Sequence, residues 1–155
     1  MEVLKPERVL VMANRMLLLS VKPEHAKKIF AGSKTVEFRR VRPKLSEGDL
    51  VVVYVSSPVK AIMGAFEVGK IYAGSPVGLW RKVKEQSGLT WSEFSTYFAN
   101  AEMAYGLEIR KMWIYSAPIK LHSIRKLWDD FNPPQSFRYI TDIEHEELLL
   151  HHSNN

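Results

Sequence analysis

The residues best suited to chemistry lie between positions 32 and 40, where the chain reads Gly-Ser-Lys-Thr-Val-Glu-Phe-Arg-Arg. Lys34 is a point charge suited to a phosphate or a carbonyl oxygen. Arg39 carries a planar fork that can hold a phosphate or a base edge through two hydrogen bonds. Glu37 is two residues from Arg39, so in a strand the two share a face. From there it can accept from a base amino group or hold the two cations in place. Lys34 and Glu37 are also the candidate catalytic pair, because a carboxylate or a nearby His25 beside a lysine can move protons without a metal. A structural ion pair between Lys34 and Glu37, near a helix end, is the alternative reading. Gly32 would let the backbone approach a ligand closely.

The charge pattern points the same way. The chain has 22 basic and 17 acidic residues, a net charge of +5. Residues 22–44 contain eight of the basic residues and only two acids, Glu24 and Glu37. A basic segment of this kind favours a polyanion such as RNA or DNA, or a phosphorylated small molecule. Lysines that merely keep a surface helix soluble are the alternative. Stacking platforms for an unpaired base could come from Tyr54, Trp80, Trp91, Tyr97, Phe137 and Tyr139. Trp91 and Phe94, however, sit in a helix-entry pattern that favours core.

Other chemistries are excluded or unsupported. There is no cysteine, so disulfides, cysteine zinc sites and thiol nucleophiles are ruled out. None of His25, His122, His145, His151 and His152 is spaced with a carboxylate as metal ligands are, so no metal and no cofactor is expected. His151 and His152 read as a solvated tail. No G-x-S-x-G, P-loop or dinucleotide fingerprint occurs. No run reaches the roughly 18 apolar residues of a membrane span. Asn14 and Arg15 split the N-terminal apolar patches, against a signal peptide. A cytoplasmic protein without a membrane partner is expected.

The elements that must position these residues follow from periodicity. With 155 residues, 46% apolar and 25% charged, the chain suits one domain with its own core. A strand is predicted at 17–21. Pro23 then opens a helix with Ala26, Ile29 and Phe30 as its apolar stripe, ended by Gly32. In a strand at 35–40, Val36 and Phe38 face the core, while Thr35, Glu37 and Arg39 face solvent, a ligand or a partner. The run 50–55 reads as a strand buried on both faces. Ile62, Gly64, Phe66 and Val68 alternate in the next, where Gly64 signals a bulge, a bend or a close approach. Helices are predicted at 76–86 and after Thr90, which starts a capping box with Glu93. Extended segments follow at 105–109 and 113–121, with Pro118 on an edge, then a short helix at 121–128. Asn132-Pro133-Pro134 is a stop leading to a loop over 135–139. Thr141 and Glu144 open a last helix with Ile143 and Leu148, Leu149 and Leu150 as its apolar residues. This mixture without βαβ alternation predicts α+β, a small mixed β-barrel with flanking helices. The expected organisation is a leader at 1–16, the main domain at 17–140, and a C-terminal helix and tail at 141–155. Three successive leucines on a short helix could serve a homo-oligomer or another protein partner.

Gly32, Lys34, Glu37 and Arg39 match the G-x-K-x-x-E-x-R signature of the ASCH domain, so the chain resembles that member of the PUA-like superfamily. Ser-Val-Lys-Pro-Glu-His-Ala at 20–26 and Pro-Pro-Gln-Ser-Phe-Arg-Tyr at 133–139 extend the likeness over roughly 17–140. The resemblance implies a PUA-like barrel with a cleft at the signature strand. It implies binding of RNA or a modified nucleotide, in RNA metabolism or in regulation of translation or transcription. Some relatives are hydrolases, acting on an acetylated cytidine amide or on RNA. The amidohydrolase branch uses a lysine, a threonine and a glutamate. Lys34 matches the lysine, but Glu37 stands at the threonine position, Thr35 is out of place, and Glu85 is an unaligned candidate for the glutamate. A binding module is therefore the first expectation and a hydrolase at the same cleft the second. The expected ligand residues are Lys34, Glu37, Arg39, Arg40, Ser56, Ser57, Gln135, Ser136 and Tyr139.

Overall fold

Apolar runs of two kinds, continuous and alternating, decide which strands lie inside and which lie at the sheet margins. The computed structural model describes residues 15–153, with side chains to Leu150. The expected leader lies outside the described residues except for Arg15 and Met16, and so do the side chains of His151 and His152. The elements in order are β1 (Met16–Val21), α1 (Pro23–Ala31), β2 (Val36–Arg39), β3 (Leu50–Val55), β4 (Ala61–Gly74), α2 (Pro76–Val83), α3 (Trp91–Tyr97), β5 (Ala104–Lys120), α4 (Leu121–Leu127), β6 (Phe137–Ile140) and α5 (Asp142–Ser153).

The six strands form one mixed sheet in the order β2-β5-β4-β3-β1-β6. Strands β1 and β3 run parallel, and every other pair is antiparallel. The parallel pair is interior, and β3 is buried along its whole length, as an uninterrupted β-branched run requires. The two short strands, β2 and β6, are the edges. Flanking helices complete the α+β fold expected from sequence, with the small mixed barrel realised as a half-barrel.

Three apolar clusters hold the fold. On one sheet face Leu17, Leu19, Val21, Val51, Val53 and Val55 pack with Ala26 and Ile29 of α1. On the other, Leu18, Val52 and Tyr54 pack with Ile124 of α4 and Leu148 of α5. A third cluster joins Val36 and Phe38 of β2 to Leu79, Val83, Phe94 and Phe98 of α2 and α3. Phe38 meets Phe94 edge-on at 5.0 Å between ring centroids. Thr90 and Glu93 form the expected capping box at α3, and Gly32 ends α1 in a left-handed conformation, φ 83°.

Gly64 serves the close approach that its place in an alternating strand suggests. A Cβ there would lie 2.2 Å from the carbonyl oxygen of Trp113 and 2.9 Å from the Phe30 ring. The β4–β5 register also shifts between Ile62 and Gly64. Gly64→Ala must push β5 away, and is expected to cost about 2 kcal/mol in urea denaturation. An unchanged midpoint would mean that the two strands separate freely at this point.

Several local expectations are corrected. The segments 105–109 and 113–121 are one 17-residue strand, β5, because β4 is long enough to pair with both. Helix α2 stops at Val83 and gives way to a 3-10 turn at Lys84–Gln86. Most of the proposed loop at 135–139 is the edge strand β6, which pairs with β1 from Leu19↔Phe137 to Met16↔Ile140. In α5, Leu148 and Leu149 are buried against the barrel, while Ile143 and Leu150 stay exposed. Two of the three leucines that suggested an oligomer contact are thus covered by the chain itself.

Candidate functional site

Alternation along β2 sends Val36 and Phe38 into the aromatic cluster and leaves Glu37 and Arg39 on the opposite face. That face looks across the opening of the half-barrel toward β1 and β6. Of the solvent, ligand or partner expected there, solvent is largely absent: Glu37 is only 6% and Arg39 8% exposed. The burial has a simple cause: the sheet curls so far that Arg39 on edge β2 reaches Ser20 of β1 and Ser136 just before the other edge, β6. Its Nη2 donates to the Ser20 carbonyl of β1 at 2.8 Å and to Glu37 Oε2 at 3.1 Å, while Nη1 donates to Ser136 Oγ at 3.3 Å, just before β6.

Lys34, for which both a ligand role and a structural ion pair were expected, is 1% exposed. Its ammonium donates to the Ser87 carbonyl at 2.7 Å, lies 3.7 Å from Glu37 Oε1, and sits 4.7 Å from the centre of the Phe38 ring. Burial pushes its pKa down, and Glu37 opposes that shift. The structural ion pair is therefore present, and Glu37 is the carboxylate that holds both cations. The turn after α2 forms the floor: Thr35 donates to Gln86 O at 2.9 Å and Lys28 to Gly88 O at 2.7 Å. Gly88, at φ 64°, lies so close that a Cβ would be 2.9 Å from Lys34 Cβ.

Two further groups join this cluster. His25 of α1 is half-buried, and its Nδ1 has no hydrogen-bond partner among the described residues. Burial lowers its pKa, Glu37 opposes, and Lys34 adds to the lowering, so the ring is neutral at pH 7. The Tyr97 hydroxyl donates to the Phe38 carbonyl at 3.2 Å; burial raises its pKa and Arg39 opposes. Ser20 and Ser87 were not singled out from sequence. Both act largely through backbone carbonyls, which leave no mark on residue type; Ser20 also donates its hydroxyl to Pro134 O at 2.6 Å.

The remaining candidates scatter around the seam. Ser136 contacts Arg39, and Gln135 beside it is exposed. Ser56 donates its backbone N–H to Val21 O at 3.0 Å, next to Ser20, and Ser57 is exposed in the turn that follows. Arg40 is drawn away to the end of α3, where it donates to Tyr97 O and Ala99 O. Tyr139 is not in the cluster. Its hydroxyl accepts from Lys44 N–H at 2.8 Å, near a cavity of about 400 Å³ lined by Arg15, Arg42 and Lys44 among others. Of the proposed platforms, Tyr54 is buried in the core. Trp80 and Trp91 pack on each other and on Phe94. Phe137 packs against the sheet and edge-on to Tyr139. Tyr97 and Tyr139 keep substantial exposure. Glu85 is exposed on the 3-10 turn, so the carboxylate beside Lys34 is that of Glu37.

The seam therefore places two cationic side chains on one carboxylate in a water-poor setting. Arg39 Nε has no hydrogen-bond partner among the described residues. Such an arrangement can accept an anion, which would complete both the charge balance and the hydrogen bonding. Among the described residues no cluster of acids and histidines could hold a metal ion, and no helix is long and apolar enough to cross a membrane.

Comparison with known proteins gives a consistent picture. The ASCH domain model matches residues 19–124. The chain is 30% identical over 132 residues to an ASCH domain-containing ribonuclease of Zymomonas mobilis, covering 85% of this chain and 88% of that one. The crystal structure of ASCH from Zymomonas mobilis superposes with a TM-score of 0.82 at 30% identity, over 87% of this chain and 94% of the other. The N-terminal domain of Staphylothermus marinus McrB matches in fold alone, with a TM-score of 0.59 at 11% identity over 100% of this chain and 99% of that domain.

Proposed function

The chain belongs to the ASCH domain family, and from that premise we propose that it binds single-stranded RNA at the seam of its half-barrel, with a backbone phosphate or base edge received by Arg39. The observation that carries this reading is the buried, incompletely paired Arg39: two cations share Glu37, and Nε has no partner among the described residues. Ser136 and Gln135 on one rim, and Ser56 and Ser57 on the other, offer neutral hydrogen-bonding groups to sugar or base. Exposed Tyr97 supplies a ring beside the opening. A role in RNA metabolism, translation or transcription in the cytoplasm follows as the cellular setting of this proposal.

The test is fluorescence anisotropy with a labelled single-stranded RNA. Arg39→Lys keeps the charge but loses the planar fork, so affinity is expected to fall about tenfold. Wild-type binding should weaken as salt rises. If Arg39→Lys binds as wild type does, the seam is not the contact.

A second reading, RNA cleavage at the same place, is favoured by the name of the Zymomonas mobilis relative and by neutral, unpartnered His25 Nδ1 beside Glu37 and Lys34. In it His25 takes the proton of a ribose 2′-hydroxyl, the 2′-oxygen bonds to the adjacent phosphorus to give a 2′,3′-cyclic phosphate, the P–O5′ bond breaks, the leaving 5′-oxygen takes a proton from water, and Arg39 steadies the phosphate. His25→Asn is expected to leave binding intact and abolish cleavage of the recovered RNA. Cleavage that survives in His25→Asn removes this assignment.

A further inference from the structure

Strands β2 and β6 are the two edges of the sheet, and they differ in what covers them. Ser20 N–H donates to Ser136 O at 2.9 Å, which fixes the phase of the β1–β6 ladder. Backbone groups of Arg138 and Ile140 therefore turn toward β1, and those of Phe137 and Tyr139 turn outward. Among the described residues no strand and no loop backbone pairs with that outward row. At β2 the corresponding row is covered. Phe38 O accepts from the Tyr97 hydroxyl at 3.2 Å, and Val36 and Phe38 are enclosed by α2 and α3.

An open edge is ordinarily blunted by a proline, a bulge or an inward charge. Strand β6 has no proline, and its register with β1 is unbroken. Phe137 and Tyr139 each offer one donor and one acceptor to a guest strand.

Charge decides the guest. Beside the Tyr139 ring is the cavity of about 400 Å³, where three cations, Arg15, Arg42 and Lys44, face one acid, Asp49. Asp49 is 3% exposed, and its Oδ2 already accepts from Ser46 N–H at 2.7 Å. The three cations are exposed, and among the described residues none of them is in an ion pair. Two contacts hold them against β6. Lys44 N–H donates to the Tyr139 hydroxyl at 2.8 Å, and the Arg15 guanidinium lies 5.9 Å from the centre of the Tyr139 ring. Residues directly opposite in an antiparallel pair send their side chains to the same face. A guest residue opposite Tyr139 therefore places its side chain beside that ring, toward the cations. A carboxylate is attracted there and a lysine repelled. A second copy of β6 would bring Phe137 or Tyr139 to that position, with another set of the same cations close by. RNA offers the charge but not the alternating amide donors and carbonyl acceptors that the outward row matches.

We propose that β6 is a docking edge for an acidic, extended peptide segment of another protein, which adds antiparallel to β6 with Glu or Asp opposite Tyr139. The proposal is independent of the RNA reading of the seam.

The experiment uses the full chain and a labelled peptide of alternating Glu and Val, about six residues long, a common strand length. Fluorescence anisotropy should show binding that weakens about tenfold in Arg42→Glu/Lys44→Glu, where attraction becomes repulsion. Both positions are exposed, and Lys44 holds Tyr139 through its backbone, so the thermal melt should not change. N-methylated peptides supply the backbone test. In the proposed register the Glu N–H groups face β6 and the Val N–H groups face away. Methylation of the Glu nitrogens should abolish binding, and methylation of the Val nitrogens should leave it. The backbone amide resonances of Phe137 and Tyr139 should shift when the unmodified peptide binds. No binding by wild type, indifference to the charge reversal, equal loss from the two methylation patterns, or unshifted Phe137 and Tyr139 amides overturns the proposal. A wild-type dimer that Tyr139→Pro dissociates gives the edge to a second copy and overturns it. So does a labelled single-stranded RNA that loses affinity in Arg42→Glu/Lys44→Glu while the peptide fails to bind wild type.

Discussion

Lys34→Ala is expected to destabilise the protein by about 3 kcal/mol, a loss large enough to confound any ligand-binding measurement on it. The side chain is almost wholly enclosed, and its ammonium is the donor to the buried Ser87 carbonyl. Its stem fills the space beside Gly88, and its charge sits over the Phe38 ring. Truncation leaves a cavity, an unmet carbonyl and a less well compensated Glu37. Lys34→Met restores the volume and keeps the apolar contacts, so about half the loss should return. Urea denaturation of the three proteins at pH 7 measures this ordering. If Lys34→Ala keeps the wild-type midpoint and loses only RNA affinity, the ammonium belongs to a ligand and not to the fold.

The second large effect comes from His145, on the inner side of α5. The residue is 1% exposed, and neither ring nitrogen has a hydrogen-bond partner among the described residues. Burial pulls its pKa down to about 4, with Asp142 opposing weakly. Above pH 6.5 the ring is neutral in both folded and unfolded chains, and stability is full. Between 6.5 and about 4 the unfolded chain takes up a proton that the folded chain refuses, so stability falls with pH. Below about 4 both are protonated and the loss levels off. The total for this ring is about 3 kcal/mol. His25 is shifted in the same direction, so the comparison must isolate position 145. His145→Leu has similar volume and no titrating group. At pH 7 it should match or exceed wild-type stability, since it removes two unmet polar atoms. Its loss of stability between pH 7 and pH 4.5 should be smaller than that of wild type by about 2.4 kcal/mol, most of the full span. Equal pH dependence in the two proteins would assign acid sensitivity elsewhere.

Much of this molecule is legible in one dimension. Periods of two and of 3.6 locate β1, β3, the start of β4, α1 and α3, because each buries one face or both against a neighbour. Caps are readable because they act over three residues, as at Thr90 with Glu93 and at Thr141 with Glu144. The group Lys34, Glu37, Arg39 is legible as a unit because its members lie within six positions. Ser136 could be suspected only through its place in a likeness to a family. Edge strand β6 was hidden because four residues carry little periodicity, and its existence depends on β1 offering a free side.

What Lys34, Glu37 and Arg39 do depends on long-range closure. Residue type and spacing determined that two cations and a carboxylate would lie together, and that the face of β2 carrying Glu37 and Arg39 would be polar. Whether that face met water could not be read from β2 itself. Only the curl of the sheet brings Ser20, Ser87 and Ser136 to it from 19, 53 and 97 positions away. Those partners are mostly backbone carbonyls, which every residue possesses, so no local pattern announces them. The same closure turns an exposed pair of basic residues into a buried latch with one nitrogen unpartnered.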